Sequence, residues 1–450
     1  MKRYYLLLAS LLCITPFCLS QPNATGKWYG MADVGGFKLR IVFDIQKSEQ
    51  GYSANMQSLD QSAETIPATL VKLEDDKLLI EISNVGFSYK GILNKSAVIE
   101  GAFTQAGQTF KLNLSQNEIT ANERPQEPKP PYPYKVEEVV FTNESANIRL
   151  SGTLTFPEVS GSYTSVILVS GSGPQNRDEE LMGHKPFLVL ADYLTRQGIA
   201  VLRYDDRGVG MSEGDYSRAG IDDFVSDAEA GIAYLKTRKD INKDKIGIIG
   251  HSEGGSIAFA LAAKQIPSFI VTLASPGVDG QRLLHTQREE LFKAAGVASE
   301  NIAQINDYMR QAQNIAIKVT SRFDLEKSIA DLFMGTPMEN QIAPIIEQLS
   351  SPEIVSILKY DPKAYFKKIH CPVLALNGMK DLQVPYNENL SAILEGITAN
   401  GNKKVAIKSY DSLNHLFQTS ETGLPSEYGA ISETFNDDVL RDIANWLSEH

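Results

Sequence analysis

The sequence predicts a mostly parallel α/β sheet with a helical insertion, preceded by a small antiparallel all-β region. Three observations lead there. After residue 135, near-continuous apolar β runs alternate with amphipathic helical patterns. Residues 23–117 hold short β runs with no helical period between them. A proline-rich segment separates the two regions. The chain has 450 residues, enough for two or three folding units. Its 43 Lys and Arg against 55 Asp and Glu give a net charge of −12, which repels phosphate backbones, so nucleic acid is not an expected partner.

Residues 1–20, MKRYYLLLASLLCITPFCLS, read as an export signal. Lys2 and Arg3 form a positive start, the apolar run is short for a bilayer, Pro16 breaks it, and small Ser20 precedes Gln21. Removal would take Cys13 and Cys18 away and leave Cys371 alone, so no internal disulfide is expected. The product is expected to be periplasmic or secreted, without stable membrane insertion.

In residues 21–122, the runs KLRIVFDI, KLLIEI, YKGIL, AVIEGAF and TFKLNL predict a small β-barrel or sandwich. Trp28, Tyr29, Tyr52, Phe87 and Tyr89 are expected in its core rather than on a ligand surface. Residues 123–135, ERPQEPKPPYPYK, hold five prolines and read as a semi-rigid linker.

Residues 136–450 carry the α/β grammar. KVEEVVF and RLSGTLTF open it, followed by SVILVSG, AVLRYD, KIGIIGH, FIVTLAS, VLALNG and VAIKSY. Helical patterns occur near Phe187–Arg196, Asp222–Lys236, Gly254–Lys264 and Phe435–Ser448. The interval of about 278–368 breaks the alternation with helical period and high charge, as a cap over the carboxyl ends of the strands would.

A serine hydroxyl needs a base and a turn that holds it clear of its neighbours. The strand–turn–helix elbow supplies the turn and demands tiny residues two before and two after the serine. Two matches occur, Gly210-Met211-Ser212-Glu213-Gly214 and Gly250-His251-Ser252-Glu253-Gly254. Ser252 follows the strand KIGII and precedes the helix start SIAFALAAK. Ser212 lies in a polar glycine-rich loop, so it is the decoy. Of six histidines, His415 alone follows the last apolar strand and reaches the sheet edge where Ser252 sits, whereas His251 is expected to point away from the serine's reaction face. Asp381, at the end of VLALNGMKD, is favoured as the carboxylate that orients the imidazole, with Asp411 as its rival. In the loop Arg203–Asp215, Arg207 is expected to pair with Asp205 or Asp206.

Ser252, Asp381 and His415, in that chain order, resemble the α/β-hydrolase superfamily over roughly residues 136–450. LVSGSGPQNRDE, RYDDRGVGMSEGD and NGMKDLQVP extend the likeness, which is greatest to exported bacterial esterases of the serine-aminopeptidase-like branch. The resemblance implies a mostly parallel α/β-hydrolase sheet with a helical cap and an oxyanion hole made by the backbone N–H groups of Ser172 and Glu253. Gly171-Ser172-Gly173 stands where the lipase form has a His-Gly pair, which leaves the loop donor open. It further implies a serine hydrolase cleaving small or medium acyl esters through an acyl-enzyme on Ser252, with a small-molecule ester substrate. No cofactor and no metal are expected. A serine peptidase is the rival, for which Glu289, Glu290, Asp307 and Asp324 offer cap acids. A third reading makes the β region a glycan- or lipid-binding module on a hydrolase scaffold.

Overall fold

The computed structural model describes residues 24–34, 37–59, 65–105, 107–119, 123–158 and 161–450. The expected export signal lies outside these described residues. The chain divides into two units, Met1–Thr120 and Ala121–His450.

The first unit is one antiparallel sheet. Its strands run, side by side, Ile66–Pro67, Gly51–Ser58, Phe37–Ser48, Gly26–Val34, Leu114–Ser115, Val98–Gln105, Phe87–Leu93, Lys77–Ile82 and Leu70–Glu74. The first and last of these are consecutive in the chain, so the short step through Ala68 and Thr69 carries it from one sheet edge to the other. Ala68 N–H donates to Ala54 O (2.8 Å) and Thr69 N–H to Glu81 O (2.7 Å), which ties the two edges together. Trp28, Phe43, Ile80, Phe87, Tyr89 and Phe103 fill the interior, while Tyr29 and Tyr52 are half-buried. Gly26–Val34 and Gly51–Ser58 escaped the sequence pattern because their inward positions include Gly30, Ala32 and Ala54, whose small side chains blur the alternation.

The second unit holds an eight-stranded sheet in the order Lys135–Asn143, Ile148–Phe156, Ala200–Tyr204, Tyr163–Val169, Ile241–His251, Phe269–Leu273, Val373–Gly378 and Val405–Tyr410. Ile148–Phe156 is antiparallel to both neighbours, and all later pairings are parallel. Helices cover both faces, as buried Val, Ile and Leu strands require. Pro186–Arg196 and Asp437–Glu449 pack on one face. Ile221–Thr237, Glu253–Ala263 and Tyr386–Thr398 pack on the other. The strand order reverses beside Tyr163–Val169, which puts a crevice at the carboxyl ends of the central strands. Between Phe269–Leu273 and Val373–Gly378 the chain makes a helical excursion, from Gly280–Ala294 to Lys363–Phe366. That excursion has its own core of Met309, Ile329, Phe333, Ile345, Leu349 and Leu358.

The proline-rich segment is fastened to the second unit. Arg124 donates to the carbonyls of Met182, Gly183, Gly429 and Ile431, and Tyr134 O–H donates to Asp192 (2.8 Å). Beside these carbonyls His184 is wholly buried, with Nδ1 2.9 Å from the Thr434 hydroxyl and Nε2 2.8 Å from the Tyr428 carbonyl. Burial, and secondly the charge of Arg124, push its pKa down to about 4.

Arg207 does not pair with Asp205 or Asp206. It reaches back to helix Ile221–Thr237, donating to both oxygens of Asp227 (2.7 and 3.0 Å) and to Asp223 (2.9 Å). Asp205 is taken by Arg177 (2.7 Å), and Asp206 accepts from Gln175 N–H (2.9 Å) and Ser170 O–H (3.1 Å). Sequence neighbours on a tight loop point apart, whereas a helix packed on the strand meets the long guanidinium end-on.

Two outcomes follow from these buried groups. Arg207→Met leaves Asp227, only 2% exposed, without its cation, and should cost about 3–5 kcal/mol in urea unfolding. His184 is favoured neutral by the fold, with a folded pKa below its ordinary 6.5. Its stabilising effect is therefore full above pH 6.5 and shrinks as pH falls toward 4, by about 3 kcal/mol in all. His184→Gln should show a shallower loss of unfolding free energy across that window than the wild type.

Candidate active site

The strand Ile241–His251 ends in a turn that has room for no side chain on either side of Ser252. A Cβ at Gly250 would lie 2.1 Å from Gly254 O, and one at Gly254 would lie 2.1 Å from Val169 O. Ser252 itself is held at φ +52° and ψ −118°, a left-handed conformation that costs a non-glycine residue about 1–3 kcal/mol. Its amide is fixed by the Leu273 carbonyl (2.8 Å), and helix Glu253–Ala263 starts at the next residue.

The alternative serine is spent on structure. Ser212 O–H donates to Asp205 O (2.7 Å) and its oxygen accepts from Ser151 N–H (2.9 Å), so the hydroxyl is saturated and buried.

His415 follows Val405–Tyr410, and its Nδ1 lies 2.8 Å from Asp381 Oδ2. Asp381 is buried, and its other oxygen accepts from Gln383 N–H (2.8 Å) and Val384 N–H (2.9 Å), which fixes the carboxylate plane. Asp411 is exposed and holds no bond to the imidazole. The ring of His415 lies 4.7 Å from that of His251, the residue before Ser252, with the two planes tilted by 47°. His415 and Asp381 thus meet, and the His415 ring lies beside that of the residue that precedes Ser252.

His251 is turned away into the protein, where its Nδ1 lies 2.9 Å from Glu179 Oε1 and its Nε2–H donates to the His415 carbonyl (2.9 Å). Burial opposes charge on this imidazole, but Glu179 and the His415 carbonyl outweigh it and hold its pKa above the ordinary histidine range.

The loop Gly171-Ser172-Gly173 lies against the elbow, close enough that a Cβ at Gly171 would be 3.2 Å from Ser252 Cβ. Two carboxylates occupy its outer amides. Gly171 N–H donates to Glu179 (2.8 Å), and Gly173 N–H donates to Glu353 (2.8 Å), a residue of the excursion helix Pro352–Lys359. The amides of Ser172 and Glu253 have no acceptor among the described residues. Glu179 and Glu353 were invisible to sequence reading. Glu353 sits in no motif and acts across a long gap in the chain, whereas Glu179 ends the run LVSGSGPQNRDE but gives no local sign of its partners. The only hint was that a glycine loop with free amides attracts carboxylates.

Behind the elbow lie further buried acids. Glu253 is pushed well up by burial, then by Glu353 and Asp206. Asp206 is raised to about 8, mainly by burial. Ser252, Ser172 and Glu253 line a cavity of about 170 Å³ whose apolar wall includes Leu283, Leu284, Ile354 and Val384. Among the described residues no group of three or more His, Cys, Asp and Glu is arranged to hold a metal ion, and no helix is long and apolar enough to cross a membrane.

Residues 185–330 match the family model described as serine aminopeptidase, S33. The chain is 26% identical over 302 residues to esterase EstD of Thermotoga maritima, covering 66% of this chain and 65% of that one. It is 31% identical over 137 residues to an uncharacterised protein of Mycobacterium tuberculosis, covering 30% of this chain and 44% of that one. The chain thus spans less than two thirds of the length of either relative. Among solved structures it is similar to the Pyrococcus furiosus esterase Pf2001, with a TM-score of 0.44, 18% identity, and coverage of 74% of this chain and 99% of that one. A hypothetical protein of Pseudomonas aeruginosa gives a TM-score of 0.47, 15% identity, and coverage of 74% and 98%. The second unit thus has the mostly parallel α/β sheet with a helical excursion that the sequence predicts, turning from strand to helix at a serine with positive φ, and residues 185–330 within it are similar to the serine aminopeptidase S33 family.

Proposed function

We propose that the chain hydrolyses carboxylic esters of small or medium acyl groups through an acyl-enzyme on Ser252. The observation that carries this reading is the 2.8 Å contact of His415 with buried Asp381, on a ring whose centre lies 4.7 Å from that of His251 in the elbow. Ser252 Oγ attacks the acyl carbonyl while His415 accepts its proton. Asp381 holds the imidazole in the tautomer whose Nε2 is free to act as base, and it stabilises the imidazolium that forms. The oxyanion meets the N–H groups of Ser172 and Glu253, about 3 kcal/mol per donor. His415 then returns the proton to the departing alcohol, and water, activated by the same imidazole, frees the acid.

The cavity of about 170 Å³ supports a small group. It is below the roughly 300–1,000 Å³ that drug-sized ligands occupy. The likeness to the Thermotoga esterase supports an ester as substrate. The match to a serine aminopeptidase model keeps a peptidase as the second reading. The four cap acids give that reading no help: Glu289 and Glu290 pair with Lys293, Asp307 with Arg310, and Asp324 accepts from the hydroxyl of Ser321, the cap of its helix.

Ser252→Ala should stay folded and lose about a thousand-fold or more of p-nitrophenyl acetate hydrolysis. Unchanged turnover would remove Ser252 from the chemistry. Ser212→Ala should instead cost about 1–3 kcal/mol in thermal unfolding and keep wild-type turnover. Aminoacyl-anilide cleavage should be much weaker than ester cleavage, and the reverse order would establish the peptidase.

A further inference from the structure

The geometry points to Glu179 and His251 as a positioning couple that locks the oxyanion loop and the His415 turn to one buried ion pair; what they position rests on the ester-hydrolase reading. One oxygen of Glu179, Oε1, serves both sides, accepting from Gly171 N–H at 2.8 Å and facing His251 Nδ1 at 2.9 Å. The other ring nitrogen of His251 donates to the backbone carbonyl of His415 at 2.9 Å. A single unbroken chain of hydrogen bonds therefore runs from the loop that carries Ser172, behind Ser252, to the residue that carries the base.

The chain of bonds has a charge requirement. A carbonyl only accepts, so His251 Nε2 must carry a proton. Glu179 Oε1 already accepts from Gly171, so as a carboxylate it too wants a donor at Nδ1. A neutral imidazole has one N–H and cannot serve both neighbours. All three bonds coexist when His251 is doubly protonated and Glu179 is ionised, a pair with side chains only 7% and 6% exposed. The groups facing this pair are His415 and Asp381 on one side and Asp206 on the other. Glu179 is also held at φ +51°, a conformation that persists where surrounding contacts over-determine it. Neither residue touches the reacting atoms, so both are positioning residues.

The test compares the full-length wild type with Glu179→Ala, Glu179→Gln and His251→Ala. It reads amide hydrogen exchange, thermal midpoint, and kcat and KM for p-nitrophenyl butyrate. Both Glu179 variants should exchange more than tenfold faster in the peptides containing Gly171 and His415. Their kcat should fall about 10- to 100-fold with KM within threefold, because misalignment weakens the transition state and not binding. Glu179→Gln should rescue little, since a neutral partner cannot keep the imidazole charged. His251→Ala should loosen the His415 peptide and spare Gly171, whose acceptor remains. Unchanged exchange around His415 in all three variants, or kcat within twofold of wild type in folded Glu179→Gln, would overturn the couple. A wild type that turns over no ester would overturn the proposed function instead, and the exchange data would still decide the couple.

Discussion

Space at the strand-to-helix turn governs this molecule. The elbow brings backbone from three directions, Val169, Gly250 and Gly254, to within distances that leave no volume for a methyl group. Only because 250 and 254 are glycines can the chain turn this sharply, and only because it turns this sharply does Ser252 project from the sheet with the helix amide of Glu253 beside it. The strain at Ser252 is sustained by the parallel strands on both sides, whose buried Ile and Val side chains fix the register. The catalytic reading of the chain is thus a consequence of packing before it is one of chemistry.

Around that turn, carboxylates act as backbone clamps. Four acids crowd the loop and elbow, and they divide by environment. Glu179 and Glu353 accept from the amides of Gly171 and Gly173, whereas burial drives Glu253 and Asp206 toward the neutral form. A glycine loop with no side chains of its own to pack is ordered from outside. The amide of Ser172, between the two clamped glycines, has no acceptor among the described residues. Glu353 comes from the helical excursion, so the same clamp ties the position of that excursion to the shape of the loop.

The sequence made the elbow, the pairing of Asp381 with His415 and most of the second sheet legible, because each leaves a local mark. Ser252 was separated from Ser212 by its flanking strand and helix, and the saturated hydroxyl of Ser212 explains why the polar loop is there. What stayed hidden was what depends on distant partners. Arg207 looked matched to its neighbours Asp205 and Asp206 but bonds a helix that packs on the strand. Glu179 closes the run LVSGSGPQNRDE, but its bonds exist only once His251 and Gly171 are folded around it. Helix Tyr386–Thr398, which buries Leu390, Ile393 and Ile397 at helical spacing, was overshadowed by the two strands that flank it. In the β unit the faint strands were those whose inward residues are too small to announce a face.

The excursion leaves the sheet after Phe269–Leu273 and returns at Val373–Gly378, two strands that are direct hydrogen-bonded neighbours. Its exit and re-entry points are therefore adjacent, and its apolar residues are largely satisfied among themselves. Such an arrangement makes it an exchangeable cassette. Its length and sequence can drift, and with them the wall of the cavity beside Ser252, while the ladder beneath is undisturbed so long as Glu353 keeps its grip on Gly173. Differences in what fits beside Ser252 would then accumulate in this one segment, on a scaffold that need not relearn how to fold.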